Sequence, residues 1–191
     1  MADDTILCQR GKITVAAYRS MIQQKKKPEI AQFIHDRFTE RYIAPLRAIP
    51  KVPKNLRNGF CTMAVCCLMI EALESFWQGL PNTRLKGASS GAFAFFFNRS
   101  DNLKEFRPYA GEFYTHVRCG ILHQAETTGG WKIRREGVLF DSNTLTINAA
   151  RFHDELGRCL DIYRSALEHE NLDSPLWIAF KNKMKAICRN C

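Results

Sequence analysis

The sequence lacks a run long enough to cross a bilayer. Its longest apolar stretch, Phe60 to Ile70, is broken by Thr62 and closes at Glu71 and Glu74, well short of the roughly 20 residues a membrane helix needs. It also lacks the apolar core of a secretory signal, since it opens on the acidic string Met1-Ala2-Asp3-Asp4-Thr5. These two absences predict a soluble, cytoplasmic protein with no membrane contact. No Walker-type glycine loop, dinucleotide fingerprint or Ser-His-Asp constellation is visible, so the nucleotide-driven and serine-nucleophile classes drop out. There is no internal repeat and no low-complexity segment. Acidic residues are scarce as well, 19 against 28 Lys and Arg, for a net charge of +9.

What is present describes one folded domain. At 191 residues, 46% of them hydrophobic and 11% aromatic, the chain can bury a sizeable core. Eight cysteines would suggest disulfides only in a secreted chain. Here Cys61, Cys66 and Cys67 read as small hydrophobes in an apolar helix. Cys188 and Cys191 have the CxxC spacing but no second pair to complete a zinc ribbon, and no metal or redox role is assigned to them.

Apolar residues at helical spacing predict an all-α bundle of five or six helices, with residues 1–27 a loosely attached N-terminal segment. Ile30, Phe33, Ile34, Phe38 and Tyr42 mark a helix behind Pro28, ended by Pro45, Pro50 and Pro53. Phe60 to Trp77 reads as the most buried helix, with Glu71 and Glu74 near its end. Of the two, Glu74 reads as the exposed carboxylate and Glu71 as the one available to a site. A short helix carries Phe93, Phe95, Phe96 and Phe97, which fits core or dimer contact better than a base-stacking platform. Trp131-Lys132-Ile133, with the pair Val138-Leu139-Phe140 and Thr144 to Ile147, predicts a small β-hairpin insertion. Asn148 and Ser174-Pro175 then start two more amphipathic helices.

Charge is unevenly placed. Between Lys25 and Arg57 nine basic residues face three acidic ones, for +6 of the total. A stripe of this kind is the footprint of a polyanion binder, and Arg37, Arg41, Arg47, Lys51 and Lys54 are its candidate RNA contacts.

Histidine, the side chain suited to proton transfer near neutrality, occurs five times. Two of these follow an arginine by five residues: Arg118 with His123, and Arg164 with His169. The second pair lies in a charged helix end beside Glu168 and Glu170, whereas the first lies among small and aromatic residues. Arg118 can bind and stabilise a phosphate while His123 acts as general base or acid. Glu71, Tyr114, His116 and Cys119 are the candidate supporting residues. On a regular helix Arg118 and His123 point about 140° apart with roughly 7.5 Å of rise. Either Gly120 loosens the helix, or a second copy completes the site across a two-fold axis. A competing arrangement is a metal site, because His116, Cys119 and His123 fall within about 60° of one another on the same helix.

The string Val117-Arg118-Cys119-Gly120-Ile121-Leu122-His123, in a basic and apparently helical chain of this length, resembles the HEPN superfamily over roughly residues 28–190. The signature of that family is an Arg followed four to six residues later by a His, on a long helix at a dimer interface. Many members have Asn, Asp or His directly after the Arg, where this chain has Cys119. The resemblance implies a metal-independent endoribonuclease without a cofactor, of the toxin–antitoxin or phage-defence kind. In-line attack by a 2′-hydroxyl would leave a 2′,3′-cyclic phosphate. The implied partners are RNA, a second copy of the chain and an antitoxin or activator protein. A non-catalytic module binding RNA, a nucleotide or a protein is the alternative within the same family.

Overall fold

The structure, a computed structural model, describes residues 3–48, 58–81 and 88–191. Lys51 and Lys54, with the extended connection predicted around Pro50 and Pro53, lie outside the described residues. The chain is mostly helical and carries two small sheets. Its centre is α4 (Gly59–Gln78), whose Met63, Cys66, Cys67, Met69, Ile70, Leu73 and Phe76 are all buried. Helix α4 is apolar nearly all round, so it needs neighbours on several sides. It finds them in α8 (Ala149–His169), α9 (Pro175–Arg189) and α5 (Ala88–Arg99), with α2 (Lys27–Phe38) packed on α8.

The long helices follow their sequence patterns closely. In α8 the predicted stripe of Phe152, Leu156, Leu160, Tyr163 and Leu167 is buried, and the Asn148 side chain accepts from the amides of Ala150 and Arg151. In α9 Ser174 caps Trp177, and Trp177, Phe180 and Met184 face inward. Lys183, expected outward, is half-buried and donates to the Pro81 carbonyl at 3.3 Å. Helix α4 ends at Gly79, whose φ of +69° places it in the left-handed region. A Cβ there would lie 2.7 Å from Ala179 Cα, so only glycine lets the end of α4 meet α9.

Two expectations are corrected. Within the segment 1–27, the described residues from Asp3 onward are not loosely attached. Strands β1 (Ile6–Cys8) and β2 (Ile13–Thr14) pair antiparallel and lead into α1 (Val15–Gln23), with Leu7, Cys8, Val15 and Tyr18 buried in the main core. Strands of two or three residues leave too little periodicity to read. The helix behind Pro28 does not stop at Pro45. It widens into a π-helical turn (Thr39–Ile43) and continues as α3 (Ala44–Arg47), where Pro45 occupies a first-turn position that needs no amide donor. The predicted β insertion is present: β4 (Phe140–Asp141) pairs antiparallel with β5 (Thr146–Asn148), and β3 (Lys132–Arg134), at the predicted Trp131–Ile133 segment, runs parallel to β5 on its other side. Ile133, Phe140 and Ile147 form the buried side of this sheet, with the Phe140 ring 4.7 Å from that of Phe106. Phe93, Phe96 and Phe97 are core, and of the four only Phe95 is exposed, at 57%.

Candidate active site

The segment holding Arg118 and His123 is a stack of three helical forms rather than one regular helix. A 3₁₀ stretch (Asp101–Tyr109) passes through Pro108 into the single turn α6 (Ala110–Glu112). A π-helical segment (Phe113–Cys119) follows, and then α7 (Gly120–Gln124). A π turn closes its hydrogen bonds five residues apart instead of four, so each residue advances by a smaller angle. The α-helical angles therefore do not hold here, and spacings of three and seven no longer share a face. Such turns recur at functional sites.

Arg118 is fixed from two directions. Its Nε donates to Glu71 Oε1 on α4 at 2.7 Å, and its guanidinium carbon lies 5.6 Å from the centre of the Tyr114 ring. Arg118 is 18% exposed at its side chain and Glu71 12%. Burial works against the guanidinium charge, but the hydrogen bond and charge of Glu71 outweigh it and raise the Arg118 pKa. Glu71 is thus the carboxylate that orients the arginine. Tyr114 supports it with its ring; burial and a hydrogen bond to Cys119 push the phenol pKa up. Cys119 Sγ lies 4.0 Å from an Arg118 nitrogen.

His123 is exposed on α7 and has no hydrogen-bond partner among the described residues. Among the described residues nothing joins it to Arg118, whose guanidinium is held towards α4. His116 belongs to neither group. Its Nδ1 lies 2.9 Å from Thr128 Oγ1, its carbonyl accepts from the Thr128 amide at 3.0 Å, and Gly129 packs over the ring. The predicted convergence of His116, Cys119 and His123 on a metal is therefore corrected: among the described residues no group of three such side chains could hold one. The π turn breaks the register on which that reading rested.

Gly120 does not act by loosening the helix, since the π turn precedes it. A Cβ at Gly120 would lie 2.5 Å from the Glu126 carbonyl and 3.3 Å from Thr127 Cα. The glycine lets the return loop after α7, which turns at Ala125 with φ +54°, lie against the helix and cap its wide turn through Thr128. Gly120→Ala is expected to cost about 1–3 kcal/mol through overpacking against backbone. A urea unfolding midpoint equal to that of wild type would contradict this account.

Among the described residues, three of the proposed RNA contacts, Arg37, Arg41 and Arg47, have partners within the fold. Arg37 and Arg41 both donate to the Leu7 carbonyl, so they hold β1 to the end of the α2 helix. Burial accordingly lowers the Arg37 pKa. Arg47 is exposed and lies 3.5 Å from Asp154 on α8.

The least legible feature lies one turn beyond Glu71. Glu74, expected at the surface, is 0% exposed. Its Oε1 accepts from Gln78 Nε2 at 2.7 Å and from an Arg99 terminal nitrogen at 3.0 Å. The Arg99 guanidinium lies 4.5 Å from the Trp77 ring centre, and the Trp77 ring meets that of Tyr163 at 4.7 Å. The available signal was the i, i+4 pair of Glu74 and Gln78 within an otherwise apolar helix. No protein-family model matches the chain, and no curated protein or solved structure matches it either.

Proposed function

We propose that the chain is a HEPN-like, metal-independent endoribonuclease that works as a homodimer. The observation that carries this reading is the arginine held between Glu71 and Tyr114 on a π-helical turn, with an unengaged histidine one helical turn further on. Arg118 keeps guanidinium donors free of Glu71 for phosphate oxygens. His123 removes the 2′-hydroxyl proton or protonates the leaving 5′-oxygen. The 2′-oxygen attacks the adjacent phosphorus, the bond to the 5′-oxygen breaks, and Arg118 stabilises the charge of the phosphorane. Because the two side chains do not meet in one copy, Arg118 of one copy would work with His123 of another. Leu68 on α4, Phe95 on α5 and Leu122 on α7, all exposed, suit such an apolar contact. An antitoxin or activator protein would act by covering or remodelling that face.

Cleavage of mixed cellular RNA in excess EDTA tests the reading. Wild type is expected to cleave, and Arg118→Ala and His123→Ala to lose at least about a hundredfold each. Mixing the two variants is expected to restore up to about a quarter of the wild-type rate, since half the dimers carry one intact composite site. Silence from wild type under these conditions sinks the proposal, and absence of recovery in the mixture sinks its composite form. A second reading, a non-catalytic RNA-binding module, is supported by the lack of contact between Arg118 and His123 within one copy: the guanidinium donors that Glu71 does not use can hold a phosphate without a proton-transfer partner. That module would hold RNA equally well with His123→Ala and cleave with neither.

A further inference from the structure

A cleft of about 490 Å³ runs between α1 and α9. Its apolar lining includes Tyr18, Ile22 and Cys188. Its rim carries Arg19, Lys181, Lys185 and Arg189, and no carboxylate lines it. Lys181, Lys185 and Arg189 recur every fourth residue of α9, one row spanning about 12 Å. The row continues past one end of the cleft. Lys181 Nζ donates to the Leu172 carbonyl and Lys27 Nζ to the Glu170 carbonyl, both at the turn between α8 and α9. Lys25 and Lys26 follow the end of α1 beside Lys27 and are exposed. Arg19 of the rim is already paired with Asp3. Lys185 and Arg189 have no partner among the described residues.

We infer that the α1–α9 cleft and its lysine row form a track for single-stranded RNA, with phosphates along Lys181, Lys185 and Arg189 and a base face against the apolar floor. The charge complementarity asks for a polyanion, because one carboxylate would leave most of the row unmatched. The apolar floor asks for a ligand with a flat, weakly polar face beside its charges, as an unpaired nucleotide has. A duplex turns its bases inward and offers the floor nothing. The volume falls in the range of small-ligand sites and takes one or two nucleotides at a time. The ligand class rests on the ribonuclease reading; the geometry of the track does not.

The test is fluorescence anisotropy with a labelled 12-nucleotide single strand and the full chain in the His123→Ala background, so that the RNA stays intact. Lys185→Ala/Arg189→Ala is expected to weaken Kd at least tenfold and to reduce the slope of log K on log salt by about 1.4, two phosphate contacts' worth. Arg151→Ala/Arg158→Ala, which removes two exposed cations of α8, is expected to leave both unchanged. Circular dichroism melts check that each variant is folded. Equal affinity of the α9 double variant and its parent overturns the track, as does a duplex bound as tightly as the single strand. A free nucleoside triphosphate that displaces the strand at equal concentration also overturns it, because one nucleotide would then fill the site. Cleavage by wild type with no role for Lys185 and Arg189 in binding removes the track alone. Binding that depends on them, with no cleavage, removes the ribonuclease reading alone.

Discussion

Phe113→Ala is expected to lower stability by about 3–5 kcal/mol, the cost of removing a fully buried ring whose cavity cannot collapse. The site should not collapse, because its walls are other rings. Phe113 meets Phe97 at 5.2 Å, Phe152 at 5.5 Å, Phe93 at 5.6 Å, Phe106 at 5.8 Å and Trp131 at 6.0 Å between ring centres. These rings come from α5, the 3₁₀ stretch, α8 and the edge of the small sheet, so one side chain joins four parts of the fold. Phe113 also opens the π-helical segment that presents Arg118. With the ring gone, that segment loses its anchor, and amide exchange over residues 113–119 should accelerate more than in α8. Phe113→Leu keeps most of the apolar volume and should cost less than about 1.5 kcal/mol. Urea unfolding decides the matter: a loss below about 1 kcal/mol for the alanine variant would mean that the other rings close the gap unaided.

The sequence made the scaffold readable where its periods were long. The stripes of α8 and α9 and their caps at Asn148 and Ser174 lie where a 3.6-residue repeat and capping chemistry put them. Glu71 could be singled out as a candidate because a carboxylate on an apolar helix needs a cationic or hydrogen-bonding partner. The sequence does not choose between Arg118 and His123, however, and the same argument holds for Glu74, which reads as exposed from sequence alone. Three features were beyond that kind of reading. The π-helical segment leaves the order of apolar residues unchanged and alters only the angle between them, which inverts conclusions about who shares a face with whom. The fates of Arg37 and Arg41 depend on the Leu7 carbonyl some 30 positions away, a contact no local pattern encodes. The α1–α9 track draws on both ends of the chain, so neither its cations nor its floor forms a motif in sequence.

Arg99→Leu is the second large effect, expected to cost about 2–3 kcal/mol at neutral pH. Stripping the partner from a buried charge costs more than that when both ions are buried, but the Arg99 side chain is 38% exposed and water offsets part of the loss. The pH dependence identifies the cause. Burial raises the Glu74 pKa above its ordinary 4.5, against the hydrogen bonds from Gln78 and Arg99, which lower it. The folded state then holds the Glu74 proton more tightly than the unfolded chain does. Linkage therefore makes stability fall as pH rises from the unfolded value through the raised folded one, and not below that window. Removing Arg99 takes away one of the interactions that hold the pKa down, which extends the window upward. The variant should consequently be close to wild type near pH 4 and clearly weaker at about pH 7. Adding Glu74→Gln to Arg99→Leu should recover most of the neutral-pH loss, because the group left without a cation is no longer charged. A deficit independent of pH and untouched by Glu74→Gln would instead assign the work of Arg99 to its stacking on Trp77, 4.5 Å from the ring centre.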